Sequence, residues 1–238
     1  MSAADKRYAE AKIARVGKLA PRPVLFARVI LREETNPSVE RRAVAEASLD
    51  VSGRLVRAQV AARRIREAVD LLEDRLRRAL EELAEHYATR RHDAGVSSPA
   101  ERPDYFPRPA EERQLVRHKA LADWAQTPEE AALEMRLLDY DFYLFTNAAT
   151  GEDNLLYRRF DGALGWAQTT PDADGADGYV IELHTDHTPP ARMALAQAVE
   201  RLDAGGERFV FFRDDESGRG NVLYRRFDGH YGLIVPGG

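Results

Sequence analysis

A stretch of 25 residues, FYLFTNAATGEDNLLYRRFDGALGW (142–166), recurs without a gap 67 residues later as FVFFRDDESGRGNVLYRRFDGHYGL (209–233), with 12 identities. Repetition at a fixed offset constrains the fold strongly, because each copy must adopt the same local structure. NLLYRRFDG and NVLYRRFDG form the centre of the two copies. Each copy reads as strand, glycine turn (Gly151 or Gly218), strand, Asp-Gly turn, strand, which is a three-stranded meander. Upstream of each lies a further strand, LVRHKA (115–120) or YVIELH (179–184), and then a Thr-Pro helix start. Thr127-Pro128 has Glu130 as capping-box partner, and Thr188-Pro189 has none. The spacing predicts helices over 128–138 and 191–203. A βαβββ unit of about 60 residues is small for a core of its own, so the copies are expected to bury a shared surface and form a pseudo-dimer. Phe142, Phe145, Tyr157 and Phe160, with Phe209, Phe212, Tyr224 and Phe227, are the candidates for that repeat–repeat interface, since outward aromatics favour association.

Residues 5–20 read as a helix anchored by Tyr8, Ile13, Val16 and Leu19, ended by Pro21 and Pro23. VLFARVILR (24–32) alternates, with Leu25, Ala27, Val29 and Leu31 on one face and Arg28 and Arg32 on the other. RRAVAEASLDV (41–51) alternates as well, placing Ala43, Ala45, Ala47, Leu49 and Val51 together. Ser52-Gly53 supplies a turn into RLVRAQVA, so 41–61 is expected to be a hairpin. From Arg64 to Tyr87 the period becomes helical, with Ile65, Val69, Leu72, Leu76, Leu80 and Leu83 in one stripe. One-sided strands need helices over a single face, which makes this an α+β domain. The predicted organisation is a domain over 1–90, a Pro-rich linker over 91–111, and repeats over 112–170 and 178–238. DADGADG (172–178) joins the two copies. The linker carries four prolines between Arg90 and Ala110, and in polyproline form about 20 such residues span up to roughly 60 Å.

The net charge of −5 is an average over unlike parts. Residues 1–92 hold 20 basic and 14 acidic groups, whereas 93–238 hold 15 and 26. Such asymmetry points to parts with different partners. Only Lys6, Lys12, Lys18 and Lys119 are lysines, and a GC-rich coding bias accounts for most of the Arg excess but not for the segregation of charge. Arginine's planar fork suits phosphate. The candidate cations lie on the two helices: Lys6, Lys12, Arg15 and Lys18 on the first, and Arg63, Arg64, Arg75 and Arg78 at the second. Helix spacing puts Arg64, Arg75 and Arg78 away from the apolar stripe. On spacing alone two readings stand, a nucleic-acid face and a solvated face with i,i+4 partners such as Asp74–Arg78 and Arg77–Glu81.

With no cysteine, the chain holds no disulfide, thiolate nucleophile or Cys-ligated metal. No apolar run reaches the roughly 20 residues of a membrane span, and a cytoplasmic location is expected. No Walker loop, dinucleotide fingerprint or GxSxG is present. His184, Asp186 and His187 have no third metal ligand at helical or strand spacing and read as a surface loop. Asp172, Asp174 and Asp177 sit among glycine and alanine where a calcium loop needs oxygen ligands, and read as linker. No enzyme, cofactor or metal is therefore expected. Of the adjacent arginines, Arg158-Arg159 and Arg225-Arg226, one of each pair either meets phosphate or an acidic partner, or pairs with nearby acids along a solvated edge.

YRRFDG followed by GLIVP, behind TPEEAALEMRLLDYDFYLF, resembles the C-terminal domain of the long-form ribosome hibernation promoting factors, also called the sigma-54 modulation proteins. AEASLDVSGRLVRAQV with IREAVDLLEDRLRRALEEL resembles that family's RNA-binding domain in its order of elements. The resemblance implies a domain like the double-stranded-RNA-binding fold, βαβββα with its first strand missing here, followed by two tandem βαβββ domains where the family normally carries one. It also implies that the N-terminal domain binds the small ribosomal subunit in the mRNA and tRNA channel. There Lys6, Lys12, Arg15, Arg75 and Arg78 would contact rRNA backbone, as suits a shape reader. The family's single C-terminal domain joins two ribosomes by homodimerisation, and a doubled tail resembles the dormancy-associated or hypoxia-associated branch. Two copies on a short tether meet at roughly millimolar effective concentration, so a monomer that stabilises single ribosomes is expected. The alternative from another class is a regulatory protein-interaction module built on the tandem repeats.

Overall fold

Helix α1 (Ala3–Gly17) begins where Ser2 can cap it. The Ser2 hydroxyl accepts the Asp5 N–H at 3.1 Å, and the Asp5 carboxylate accepts the Ser2 N–H at 3.3 Å. Its inner face buries Ala9, Ile13 and Val16, while Leu19 lies past its end and is half exposed. Strands β1 (Val24–Glu33), β2 (Ala43–Val51) and β3 (Arg54–Ala62) form an antiparallel sheet in that order. The tight turn between β2 and β3 requires positive φ at both central residues, 53° at Ser52 and 91° at Gly53. Helix α2 (Ile65–Thr89) sets Leu72, Leu76, Leu80 and Leu83 in the core against Ala45, Ala47, Leu49, Val56 and Val60. The expected facing of β1 is corrected at its start. A bulge between Val24 and Phe26 shifts the register, so Val24 packs on the core and Leu25 is exposed.

The computed structural model describes residues 2–33, 40–89, 108–119, 124–170, 183–186, 188–205 and 207–237. It comprises two compact units, the first of residues 1–104 and 133–140, the second of residues 105–132 and 141–238. The expected linker lies largely outside the described residues, as do Asp172, Asp174, Asp177 and His187.

In the second unit a 3-10 turn at Ala110–Glu112 precedes β4 (Leu115–Lys119). Helix α3 (Pro128–Leu137) follows, capped reciprocally by Thr127 and Glu130 as the sequence predicts, and its residues from Leu133 on belong to the first unit. The first meander is β5 (Phe142–Thr146), β6 (Asp153–Arg158) and β7 (Leu164–Gln168). Then come β8 (Leu183–Asp186), the two-residue β9 (Arg192–Met193) and helix α4 (Leu195–Ala204). The second meander is β10 (Phe209–Asp214), β11 (Gly220–Arg225) and β12 (Tyr231–Val235).

Two expectations are corrected here. Helix α4 starts at Leu195 rather than at Thr188-Pro189, because residues 192–193 first pair with β10; Gln197 then caps the Ala194 N–H at 3.0 Å. The expected strand over 179–184 is described from Leu183 and runs on to Asp186, paired in parallel with β7, so His184 and Asp186 lie in a strand rather than in a surface loop.

The two sheets are β5-β6-β7-β8 and β4-β12-β11-β10-β9. The strand upstream of each copy therefore pairs with the last strand of a meander, but not of its own. β4 joins β12 of the second copy, and β8 joins β7 of the first. Each copy lends a strand to the other, so the tandem repeat folds as one interlocked unit.

Candidate nucleic-acid interface and the contact between repeats

On α1 Lys6 and Arg15 are exposed, as is Lys18 just past its end, and none has an ion-pair partner among the described residues. Lys12 is placed differently. Its ammonium lies 2.6 Å from the Glu73 carboxylate and 2.9 Å from that of Asp70, with 18% of the side chain exposed. These bonds, Glu73's first, raise the Lys12 pKa against the effect of burial. The Tyr8 hydroxyl donates to Asp70 at 2.6 Å. That bond, ahead of Lys12, holds Asp70 below the usual carboxylate range. The cluster ties α1 to α2 and leaves Lys12 little to offer a ligand.

At the second helix, Arg63 and Arg64 are exposed, Arg63 pairing with Glu40. Arg78 is exposed and donates to the Asp74 carbonyl at 3.4 Å, while the Asp74 carboxylate sits 4.0 Å from Arg77. Arg77 also reaches Glu73 at 3.6 Å rather than the expected Glu81.

Arg75 does not face outward. It is 4% exposed, donates to the Gln59 carbonyl at 3.0 Å and lies 3.6 Å from Asp139. Asp139 sits just past α3 with φ of 54°, and its carboxylate accepts the Gln59 N–H at 3.1 Å. Within the first unit, Arg75 and Asp139 thus satisfy both backbone groups of one residue on the open edge of β3. Leu133 and Leu137 belong to the same core, and Arg136 pairs with Glu82. Helix spacing misplaces Arg75 because what covers that flank of α2 comes from far along the chain. Spacing also passed over Arg66, an exposed cation stacked 5.4 Å over the Tyr8 ring.

The aromatic candidates divide by strand parity. Phe142, Tyr157, Phe209 and Tyr224 meet between the copies: Phe142 lies 5.3 Å from Phe209 and 5.0 Å from Tyr224, and Tyr157 lies 5.6 Å from Phe209. Phe142 and Phe209 are equivalent positions, and Phe142–Tyr224 is the counterpart of Tyr157–Phe209. Position i touching j while j touches i is the signature of a two-fold contact. Leu144, Leu155, Ala167 and Val222 complete the apolar patch. Phe145 and Phe212 are buried, and Phe212 lies in the core beneath α4; an odd offset along a strand turns both away from the interface. Phe160 is 90% exposed under the Arg208 guanidinium, and Phe227 is half-buried. Each interface tyrosine lies flat over a glycine of the neighbouring strand. A β-carbon at Gly165 would stand 2.2 Å from the Tyr157 ring, and one at Gly232 would stand 2.3 Å from that of Tyr224.

The adjacent arginines find acids nearby. Arg158 is buried 3.9 Å from Asp141, Arg159 pairs with Asp161, Arg225 with Asp203 and Arg226 with Asp228. Among the described residues no group of three or more His, Asp or Glu could hold a metal, and no helix is long and apolar enough to cross a membrane.

The chain thus joins an α+β unit with exposed cations on its helices to two interlocked copies of a small αβ unit. The family model described as sigma 54 modulation protein / S30EA ribosomal protein matches residues 1–87, and that of its C terminus matches 110–165 and again 183–233. The chain belongs to this family. It is 36% identical over 138 residues to a dormancy associated translation inhibitor of Mycobacterium tuberculosis, covering 53% of this chain and 49% of that one. It is also 28% identical over 178 residues to a ribosome hibernation promotion factor of Deinococcus radiodurans, covering 67% and 88%. A Lactococcus lactis protein of the same name is 28% identical over 136 residues, 55% of this chain and 74% of that one. The chain's match spans about half the length of its mycobacterial relatives.

Proposed function

We propose that this protein is a cytoplasmic ribosome hibernation factor. Its first unit occupies the mRNA and tRNA channel of the small ribosomal subunit and blocks translation by presence alone, with no chemistry of its own. The observation that carries this reading is the set of exposed cations on α1 and at α2: Lys6, Arg15, Lys18, Arg64 and Arg78. Phosphate contacts of this kind position a protein without reading sequence, as an rRNA binder requires. The names of its relatives support the same activity. Pairing of the two repeats within one chain supports a monomer that silences and stabilises single ribosomes.

Co-sedimentation with purified small subunits at increasing salt tests the reading. Each phosphate contact contributes a slope of about −0.7 to −0.9 to log affinity against log salt. Arg64→Glu with Arg78→Glu is expected to shed most of the bound protein at moderate salt and to flatten the slope. Unchanged binding, or binding indifferent to salt, would instead favour the protein-interaction module.

A further inference from the structure

Two identical surfaces that pair about a two-fold axis serve equally well between chains and within one. The two copies here are not identical where they meet. The first carries Glu152-Asp153, and 67 residues on the second carries Arg219-Gly220. These positions lie against each other. The Asp153 carboxylate, 4% exposed, receives Nε and Nη2 of Arg219 at 2.7 and 2.8 Å and the Gly220 N–H at 2.8 Å. Such a two-pronged bond is the strong, geometrically demanding form of the Arg–carboxylate pair. Glu152 holds the neighbouring Thr169 hydroxyl at 2.9 Å, on the same side of the contact.

We propose that Glu152-Asp153 and Arg219-Gly220 form a specificity key that makes the first repeat pair with the second and not with another copy of itself. Two first repeats would set Asp153 against Asp153. A β-carbon at position 220 already falls 2.9 Å from the Asp153 β-carbon and 2.9 Å from the Thr169 methyl, so the close approach admits only glycine there. The same pairing would also bury two carboxylates with no cation between them, which is strongly unfavourable. Two second repeats would set Arg219 against Gly220, with no carboxylate to receive the guanidinium. Only the crosswise match satisfies shape and charge, and specificity of this kind rests on what the wrong pairs lose. The key rests on the intramolecular pairing of the proposed monomer, and its occupant is the other repeat of the same chain.

The test uses the full-length protein in three variants, read without ribosomes so that its failure stays separate from that of the ribosomal reading. E152R/D153G makes both copies Arg-Gly, R219E/G220D makes both Glu-Asp, and the quadruple variant transposes the key. Each half-swap is expected to lower the melting temperature and to speed amide exchange in β5 and β10 by at least tenfold, while first-unit amides keep their protection. The transposed variant is expected to recover most of both losses. In analytical ultracentrifugation an equimolar mixture of the two half-swaps is expected to yield a species of twice the chain mass that neither yields alone. Native stability in the half-swaps, a transposed variant no better than they are, self-association of either one, or a mixture that stays at single-chain mass would each overturn the proposal.

Discussion

Arg75 and Arg78 lie within one turn of the same helix and have opposite surroundings. Arg78 is exposed, while Arg75 is buried between the Gln59 carbonyl and Asp139. Removing one partner of a buried pair strands the other, at a cost of about 3–5 kcal/mol. Arg75→Ala is accordingly expected to lose about that much in urea unfolding of the whole chain. Arg78→Ala should stay within about 0.5 kcal/mol, as exposed positions do. Equal stability of the two variants would contradict the burial of Arg75. Any loss of ribosome binding on altering Arg75 would then report damage to the fold, so exposed Arg15, Arg64 and Arg78 are the informative positions. Helix spacing made Lys6, Arg15, Lys18 and Arg64 legible as outward cations. It could not separate them from Lys12 and Arg75, whose partners Glu73 and Asp139 come from other elements. Strand parity, by contrast, separates Phe142 from Phe145, which stand an odd number apart on one strand and must face opposite ways; it does not reach Phe160 and Phe227, which lie past the ends of β6 and β11.

Helices α3 and α4 occupy equivalent places in the two copies and differ in one face. α4 buries Ala198 and Leu202 and leaves Glu200 and Ala204 exposed. α3 has Ala131 and Met135 at the first two positions and Leu133 and Leu137 at the second two, all four buried, with both leucines in the first unit's core. Deleting a buried leucine side chain costs about 2–5 kcal/mol. Leu137→Ala is therefore expected to destabilise the first unit by that amount, seen as faster exchange of α2 amides. Ala204→Ser at the matching place in α4 should leave stability unchanged within about 0.5 kcal/mol. No effect of Leu137→Ala on α2 would contradict the packing. The position of α3, the capping box at Thr127 and the meanders were legible, because local periodicity and turn chemistry determine them; the start of α4 was not, because the pairing of residues 192–193 with β10 sets it. The exchange of β4 and β8 was not. A strand upstream of a meander has the same alternation whichever meander it joins, and only the tertiary contact decides.

For the whole molecule, the −5 average conceals a +6 N-terminal segment and a −11 remainder. The positive part suits an RNA channel. Within the acidic part, Asp203 is held internally by Arg113 and Arg225, and Asp153 by Arg219. The two repeats pair with each other within the chain, and under the proposed reading one molecule acts on one ribosome. Sucrose-gradient sedimentation of purified ribosomes with the full-length protein tests this most directly. The account predicts co-migration with single ribosomes at about one chain each, loss of peptide synthesis, and no heavier peak. Ribosome dimers, or protein left at the top of the gradient, would contradict it.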